Sequence, residues 1–287
     1  SNTAVGYKAL EDHTTGNNNV AIGKDALRTN TTGTGNVSIG ANSLENNTTA
    51  DTNTAIGNGS LLANTTGADN VALGASALAA NTTASNNVAI GHSSLLSNTE
   101  GHSNVGVGLQ SLEANTTGDA NTAIGFKALE ANTTADKNTA VGQSSLKVNT
   151  TGTENTAIGQ GSLAANTTGD YNTAVGRSAL VANTTGARNT AMGTFSLDAN
   201  TTGDFNTGLG YATLTGNTTA DNNTAVGYEA MLVNTTGYDN TAVGRRSLDA
   251  NTEGHSNTAV GESSLTSNTT GDRNVAIGQN AMSVNKI

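Results

Sequence analysis

The amino-acid sequence predicts an all-β fold, a parallel β-solenoid in which each coil is one repeat of seventeen residues. Three observations predict it. A glycine recurs every seventeen residues from Gly6 to Gly278 without insertion or deletion. The residues before each glycine alternate like a strand and are rich in β-branched side chains. Charged residues avoid the same repeat positions in every copy, as buried columns would require. Residues 1–287 are therefore interpreted as a single domain of seventeen repeats.

The first element of each repeat is a short strand that ends at the recurring glycine. Repeat positions are numbered from the Asn four residues before that glycine, so Asn2 is position 1 and Gly6 is position 5. Position 1 is always Asn, position 2 is Thr or Val, position 3 is small and position 4 is aliphatic. Glycine at position 5 allows a bend or a close approach between backbones.

The second element is predicted at positions 8 to 11, where a small residue and a nearly invariant Leu suggest another short strand with Leu pointing inward. The third is a turn at positions 12 to 15, written Asn-Thr-Thr-Gly in most copies. Asn tolerates the left-handed region and Gly supplies positive φ, so this segment favours a turn. Seventeen residues are too few for a helical hairpin repeat.

Residues at one repeat position form a column when coils stack, with a spacing of about 4.8 Å. Asn carries both a donor and an acceptor, so stacked Asn side chains can bond along a column as a ladder. A ligand-binding array of Asn is the competing hypothesis. The residues predicted to form structural ladders are Asn2, Asn19, Asn36, Asn121, Asn274, Gly6, Gly23, Gly125, Leu27 and Leu129.

Self-association follows from how little each coil can bury. One Val and one Leu per coil do not offset the cost of ordering seventeen residues, so further apolar surface must be covered. The small residues at positions 3 and 8 are interpreted as a flat outer face against which another chain packs. On this interpretation Ala123→Leu or Ala174→Leu would disrupt an interface between chains.

Composition and repetition exclude several functions. The formal net charge of −10 disfavours nucleic acid, and no apolar run reaches membrane-spanning length. An enzyme needs a unique constellation of residues, which repetition does not provide, so we expect no catalytic residue, no cofactor and no metal site. Aspartates stack at position 16, as Asp119 with Asp136 and Asp204 with Asp221, and leave Ca²⁺ binding open. The solvated-turn interpretation of this column is favoured.

The strings Asn53-Thr54-Ala55-Ile56-Gly57, Asn36-Val37-Ser38-Ile39-Gly40 and Asn274-Val275-Ala276-Ile277-Gly278 resemble the head repeats of trimeric autotransporter adhesins. They are also similar to repeats of phage tail-fibre and related surface-fibre proteins. The resemblance covers the whole chain and implies a left-handed coil, three chains side by side and an extracellular location on a cell surface or virion fibre. It also implies that the chain is an excerpt of a longer fibre. The Asn-Thr-Thr-Gly segment makes this repeat longer than the usual adhesin repeat.

The predicted function is that of a structural extracellular fibre, an adhesin shaft or head that binds through its variable outward positions. Its partners would be further copies of the chain, as a homotrimer or filament, and a carbohydrate or protein receptor. The candidate adhesive residues are Tyr7, Phe126, Tyr211 and Tyr228, all at position 6. The alternative is an ice-binding solenoid that uses stacked Thr and Asn columns. Asn-Thr-Thr is also an acceptor for N-glycosylation, which the sequence leaves open.

Overall fold

The computed structural model describes residues 1–284 and confirms an all-β parallel β-solenoid. It contains seventeen short strands, and no helix occurs within the described residues. The chain forms two compact units, Ser1–Gln143 and Ser144–Ile287. Each unit is a stack of coils with one strand per repeat.

Each strand has three residues, from position 2 to position 4 of its repeat. In the first unit the strands are β1 (Thr3–Val5), β2 (Val20–Ile22), β3 (Val37–Ile39), β4 (Thr54–Ile56), β5 (Val71–Leu73), β6 (Val88–Ile90), β7 (Val105–Val107), β8 (Thr122–Ile124) and β9 (Thr139–Val141). In the second unit they are β10 (Thr156–Ile158), β11 (Thr173–Val175), β12 (Thr190–Met192), β13 (Thr207–Leu209), β14 (Thr224–Val226), β15 (Thr241–Val243), β16 (Thr258–Val260) and β17 (Val275–Ile277).

Strand pairing within each unit is parallel and follows chain order. Each residue pairs with the residue seventeen positions later, as Ala4 with Ala21 in the first unit and Ala157 with Ala174 in the second. The register never slips, so residues of one repeat position are stacked directly above one another. The columns defined on the sequence are therefore physical columns within each unit.

The second predicted strand is wrong. Positions 6 to 11 form a run of turns, in which positions 7 and 9 both have left-handed backbone conformations. Leu27 has φ of 52° and Leu129 has φ of 51°, and both side chains are completely buried. A left-handed Leu costs about 1–2 kcal/mol, which burial of its side chain, worth about 1.5–3 kcal/mol, can offset. The Leu was correctly predicted to point inward, but from a turn.

The predicted direction of the strand side chains is also wrong. Except for Ala4 in the first coil, the small residues at position 3, including Ala123 and Ala174, are buried inside the coil, and so are most residues at position 8. The aliphatic residues at position 4 face outward instead. The interior holds one Leu or Met per coil beside Ala, Ser and Asn, so it has room for a methyl group on the strand but not for Val or Ile. The flat outer face of small residues does not exist.

Candidate functional site

The Asn column at position 1 binds successive coils through side-chain hydrogen bonds. The backbone N–H of Asn19 donates to Oδ1 of Asn2 at 2.9 Å, and that of Asn36 donates to Oδ1 of Asn19 at 2.9 Å. The same contact joins Asn121 and Asn274 to the coils before them, at 2.9 Å in each case. These bonds confirm the Asn ladder. Its interior residues are fully buried and cannot meet a ligand.

Position 1 also closes each coil on itself. Nδ2 of Asn121 donates to the backbone carbonyl of Ala135 at 2.8 Å, and Nδ2 of Asn36 donates to that of Ala50 at 2.8 Å. Each bond spans fourteen residues and ties the start of the strand to position 15 of the same repeat. One Asn side chain therefore stabilises both the coil and the stack.

A second Asn ladder runs through position 12. Nδ2 of Asn64 donates to Oδ1 of Asn47 at 3.0 Å and to the carbonyl of Gly67 at 2.9 Å. In the first copy, where His13 replaces Asn, its Nε2 lies 3.0 Å from Nδ2 of Asn2. The carbonyl at position 15 is the acceptor for both ladders, which explains why two Asn columns occur together.

Burial of the position-12 ladder argues against glycosylation of the folded chain at the Asn-Thr-Thr sequons. A glycan is attached to Nδ2, and in Asn64 that nitrogen is buried and donates two hydrogen bonds. Modification would break the ladder and force a sugar into the coil. The Asn-Thr-Thr segments of the folded chain are therefore structural, as turn chemistry alone predicted.

Glycine at position 5 is required by the stacking of the backbones. Gly6, Gly23 and Gly125 have φ between 134° and 139°, which L side chains rarely adopt. A Cβ on Gly23 would lie 2.4 Å from the carbonyl oxygen of Gly40 in the next coil. No side chain fits between these backbones.

The outer face of the strands is a regular, partly exposed apolar surface in each unit. It is formed by the position-4 residues of successive strands, with Thr or Val of position 2 beside them, and is called the strand face below. Ile158, Met192 and Leu209 remain 41%, 42% and 45% exposed on the strand face of the second unit. Charged residues do not occur at either position in any copy. An uncharged, partly exposed aliphatic column is typical of an association surface.

The variable position-6 and position-7 columns carry an aromatic cluster in the second unit. The rings of Tyr211 and Tyr228 stack with centroids 5.5 Å apart and an angle of 12° between their planes. Phe195 meets Tyr211 edge-on at 6.2 Å, and the Arg177 guanidinium lies 5.6 Å from the Phe195 ring. Tyr211 and Tyr228 are 47% and 44% exposed. The prediction placed these two tyrosines on the surface, and the structure brings them together.

A second exposed stack lies at position 17 of the same unit. The Arg188 guanidinium lies 5.3 Å from the ring centre of Tyr171 and 5.4 Å from that of Phe205, between coils on either side. The adhesive-site prediction omitted Phe195, Tyr171 and Phe205. Six of the eight aromatic residues fall within 171–238, a local enrichment in the sequence that would have identified this cluster.

Tyr7 and Phe126 lie in the first unit. Both rings are exposed, and each has a lysine ammonium nearby: Lys8 Nζ is 5.8 Å from the Tyr7 centroid and Lys127 Nζ is 5.6 Å from that of Phe126. They are single exposed aromatic residues, not members of a shared surface.

The charges beside the aromatic cluster are held in a fixed arrangement. The Glu229 carboxylate accepts from Nε of Arg246 at 2.7 Å. The neighbouring Tyr228 phenol and the hydrogen bond from Arg246 lower the pKa of Glu229. The adjacent Glu229 carboxylate raises the pKa of Tyr228. Glu229 is therefore ionised at neutral pH, and Tyr228 keeps its phenolic proton as a donor.

The Asp column at position 16 has a hydrogen-bonding role. Oδ1 of Asp136 accepts from the backbone N–H of Asp119 at 2.7 Å, and Oδ1 of Asp221 accepts from that of Asp204 at 2.7 Å. Each carboxylate thereby satisfies an amide of the preceding coil. Within residues 1–284 no group of three or more potential metal-ligating side chains converges. These hydrogen bonds support the interpretation of position 16 as a turn column.

Comparison with protein-family models finds no match, and comparison with curated proteins finds none either. The similarity to adhesin and fibre repeats is carried by the five-residue strand motif and stays a resemblance. Across the described part of the chain, no helix has the length and apolar character needed to cross a membrane. The expectation that the chain is not an enzyme stays a prediction, although β-solenoids of this kind are typically structural.

Proposed function

We propose that this chain is part of a structural extracellular fibre whose copies associate through their strand faces. The exposed position-4 column is the observation that carries the proposal. A left-handed coil, a homotrimer and a cell-surface or virion location come from the resemblance to adhesin and fibre repeats and form the rest of the proposal. Rigidity would come from the two buried Asn ladders, which join each coil to the next.

The energetics of the strand face favour association. A fully buried Ile, Leu or Met contributes about 1.5–3 kcal/mol, so covering the exposed two-fifths of each position-4 side chain contributes about 0.6–1.2 kcal/mol. The gain repeats in every coil, whereas the loss of translational and rotational freedom is incurred once per chain. A long stack of coils therefore associates more tightly than a short one.

Adhesion would be carried by the variable columns. Tyr and Arg are, with Trp, the residues most enriched at the energetic centres of protein interfaces. Tyr offers a large, rigid and amphipathic contact area. The cluster of Phe195, Tyr211 and Tyr228 with Arg177 has this character, and the stack around Arg188 adds to it. We propose these residues as the adhesive surface for a carbohydrate or protein receptor.

Mass measurement in solution tests the association. Light scattering after gel filtration should give a particle of about three chains for the wild-type protein. The double variant Ile158→Lys with Met192→Lys places two charges on the strand face, two coils apart, and should convert the particle to monomers. Both substitutions lie at outward positions, so the coil itself should remain folded.

A matched control changes the same two coils away from the strand face. Gln160→Lys with Thr194→Lys adds the same charge two residues further along, at position 6, where the chain already carries Lys24. This variant should keep the wild-type mass. A wild-type protein that is monomeric at high concentration, or a strand-face variant with unchanged mass, would contradict the proposal.

A further inference from the structure

Two Thr columns form a second regular surface, distinct from the strand face. Position 13 is Thr in all sixteen copies that the structure describes there, from Thr14 to Thr269. Position 14 is Thr in fourteen of them, with Glu100 and Glu253 as the exceptions. Other exposed columns change from copy to copy, so this uniformity needs a physical cause. The paired columns are called the threonine face.

Most position-13 side chains, although not Thr218 and Thr269, are held by hydrogen bonds to the next coil. Oγ1 of Thr184 donates to the backbone carbonyl of Thr201 at 3.0 Å, and Oγ1 of Thr201 donates to that of Thr218 at 3.0 Å. The same bond recurs in the first unit, as between Thr31 and Thr48 at 3.0 Å. This contact fixes the rotamer and explains why position 13 is uniform. These hydrogen bonds are a sufficient reason for Thr at position 13.

Hydrogen bonding within the protein does not explain why Thr recurs at position 14. Every residue of this column is exposed, and within residues 1–284 none of its Thr hydroxyls hydrogen-bonds to another protein group. Glu100 and Glu253 show that the fold accepts a larger charged side chain at this position. Retention of Thr in the other fourteen copies is therefore not required by packing. It leaves a row of free hydroxyls beside a row of immobilised Thr side chains.

We propose that the threonine face binds ice. A crystal lattice is matched by a surface with a constant repeat, and the coils supply one at about 4.8 Å. The locked position-13 side chains present an array that loses little conformational entropy on contact. The free position-14 hydroxyls can hydrogen-bond to surface water, which immobilises at a cost of about 0–2 kcal/mol per molecule. This activity goes beyond the proposed fibre function and uses a different surface.

The structure corrects which columns take part. Within residues 1–284 the Asn columns are buried except at Asn2 and Asn274, so the ice-binding hypothesis retains Thr and loses Asn. The second unit carries the longer uninterrupted array, six successive Thr-Thr pairs from Thr150-Thr151 to Thr235-Thr236. Glu253 ends that array, because a charged side chain breaks the repeat of hydroxyl and methyl groups.

Thermal hysteresis and the shape of ice crystals test the proposal on the purified full chain. The wild-type protein should separate freezing from melting temperatures and produce faceted crystals. The double variant Thr185→Glu with Thr202→Glu copies the natural residue of two other coils, so it should fold while losing most of the hysteresis. Circular dichroism and the thermal midpoint verify that its fold is unchanged.

The matched control is Thr194→Glu with Asn222→Glu. Both residues lie in the second unit, at positions 6 and 17, where the chain already carries Glu262 and Glu154. This control has the same added charge and should retain the wild-type hysteresis. The proposal is overturned if the folded wild-type protein neither separates the two temperatures nor shapes ice. It is equally overturned if the Thr185→Glu and Thr202→Glu variant is as active as the control.

Discussion

Removing one side chain from the position-12 Asn ladder should weaken the second unit by several kilocalories per mole. Asn200 is fully buried and takes part in three side-chain hydrogen bonds. Its Nδ2 donates to Oδ1 of Asn183 at 2.9 Å and to the carbonyl of Gly203 at 3.0 Å. Its Oδ1 accepts from Nδ2 of Asn217 at 2.9 Å. Asn200→Ala removes all three.

The size of this loss of stability follows from which buried polar groups lose their hydrogen-bond partners. The Gly203 carbonyl still accepts from Asn189 at 2.7 Å, so it keeps a partner. Oδ1 of Asn183 and one N–H of Asn217 are left buried without one. Each stranded group costs about 1–3 kcal/mol, which gives a loss of about 2–6 kcal/mol in the free energy of unfolding.

Urea denaturation followed by circular dichroism measures this loss, and hydrogen exchange locates it. Protection of backbone amides should fall most in the coils next to Asn200, because solenoid coils interact mainly with their neighbours. Asn200→Asp separates hydrogen bonding from size. Its buried carboxylate should have a raised pKa, so this variant should be less stable than the wild type at pH 7 and recover part of the difference as pH falls. A loss below about 0.5 kcal/mol for Asn200→Ala would refute the ladder's proposed contribution.

Three other substitutions test separate parts of the structure. Burial raises the pKa of the Asp198 carboxyl, so its ionisation destabilises the fold. Asp198→Asn should therefore melt at a higher temperature than the wild type at pH 7. This gain in melting temperature should vanish below about pH 3.9, where the carboxyl is protonated in the folded and unfolded states. An equal gain at low pH would contradict this assignment. A Cβ on Gly176 would lie 2.6 Å from the Gly193 carbonyl carbon at φ of 136°, so Gly176→Ala should lower the free energy of unfolding in urea by at least about 1–3 kcal/mol. Ala174→Leu should overpack the interior, reduce stability by about 1–3 kcal/mol and so lower the thermal midpoint. The mass of the particle, measured below that midpoint, should stay unchanged. A change of mass without loss of stability would restore the discarded small-residue interface.

Most of the fold could be predicted because the repeat is strict. The period fixed the number of residues per coil, and the invariant Asn at position 1 implied a ladder that the structure shows between Asn2 and Asn19. The direction of the strand side chains could not be predicted. Alternation shows that Thr54 and Ile56 share one face, but not which face lies inside. The larger residue was assigned to the interior, whereas the coil is so thin that Ala55 occupies it.

The turn at positions 6 to 11 left a weaker signal in the sequence. Position 7 admits Gly59, Gly161 and Asn42, residues that tolerate the left-handed region, and its backbone does lie there. Position 9 offers no such signal, because Leu is a poor residue for positive φ and only burial in the stacked coil holds it there. The aromatic cluster was half predicted, since Tyr211 and Tyr228 stood in one column, but the contribution of Arg177 depends on side-chain geometry.

The constant register also bears on how such a chain folds. Most β proteins fold slowly because their strands pair across long stretches of sequence, and closing those loops costs entropy before contacts form. Here every strand within a unit pairs with one that begins seventeen residues away, as Ala157 does with Ala174. Two coils can serve as a nucleus, and each further coil then adds to a template with a short, equal loop. The chain combines a sheet's hydrogen bonding with the sequence-local contacts of a helical protein, and it should fold by addition of one coil after another.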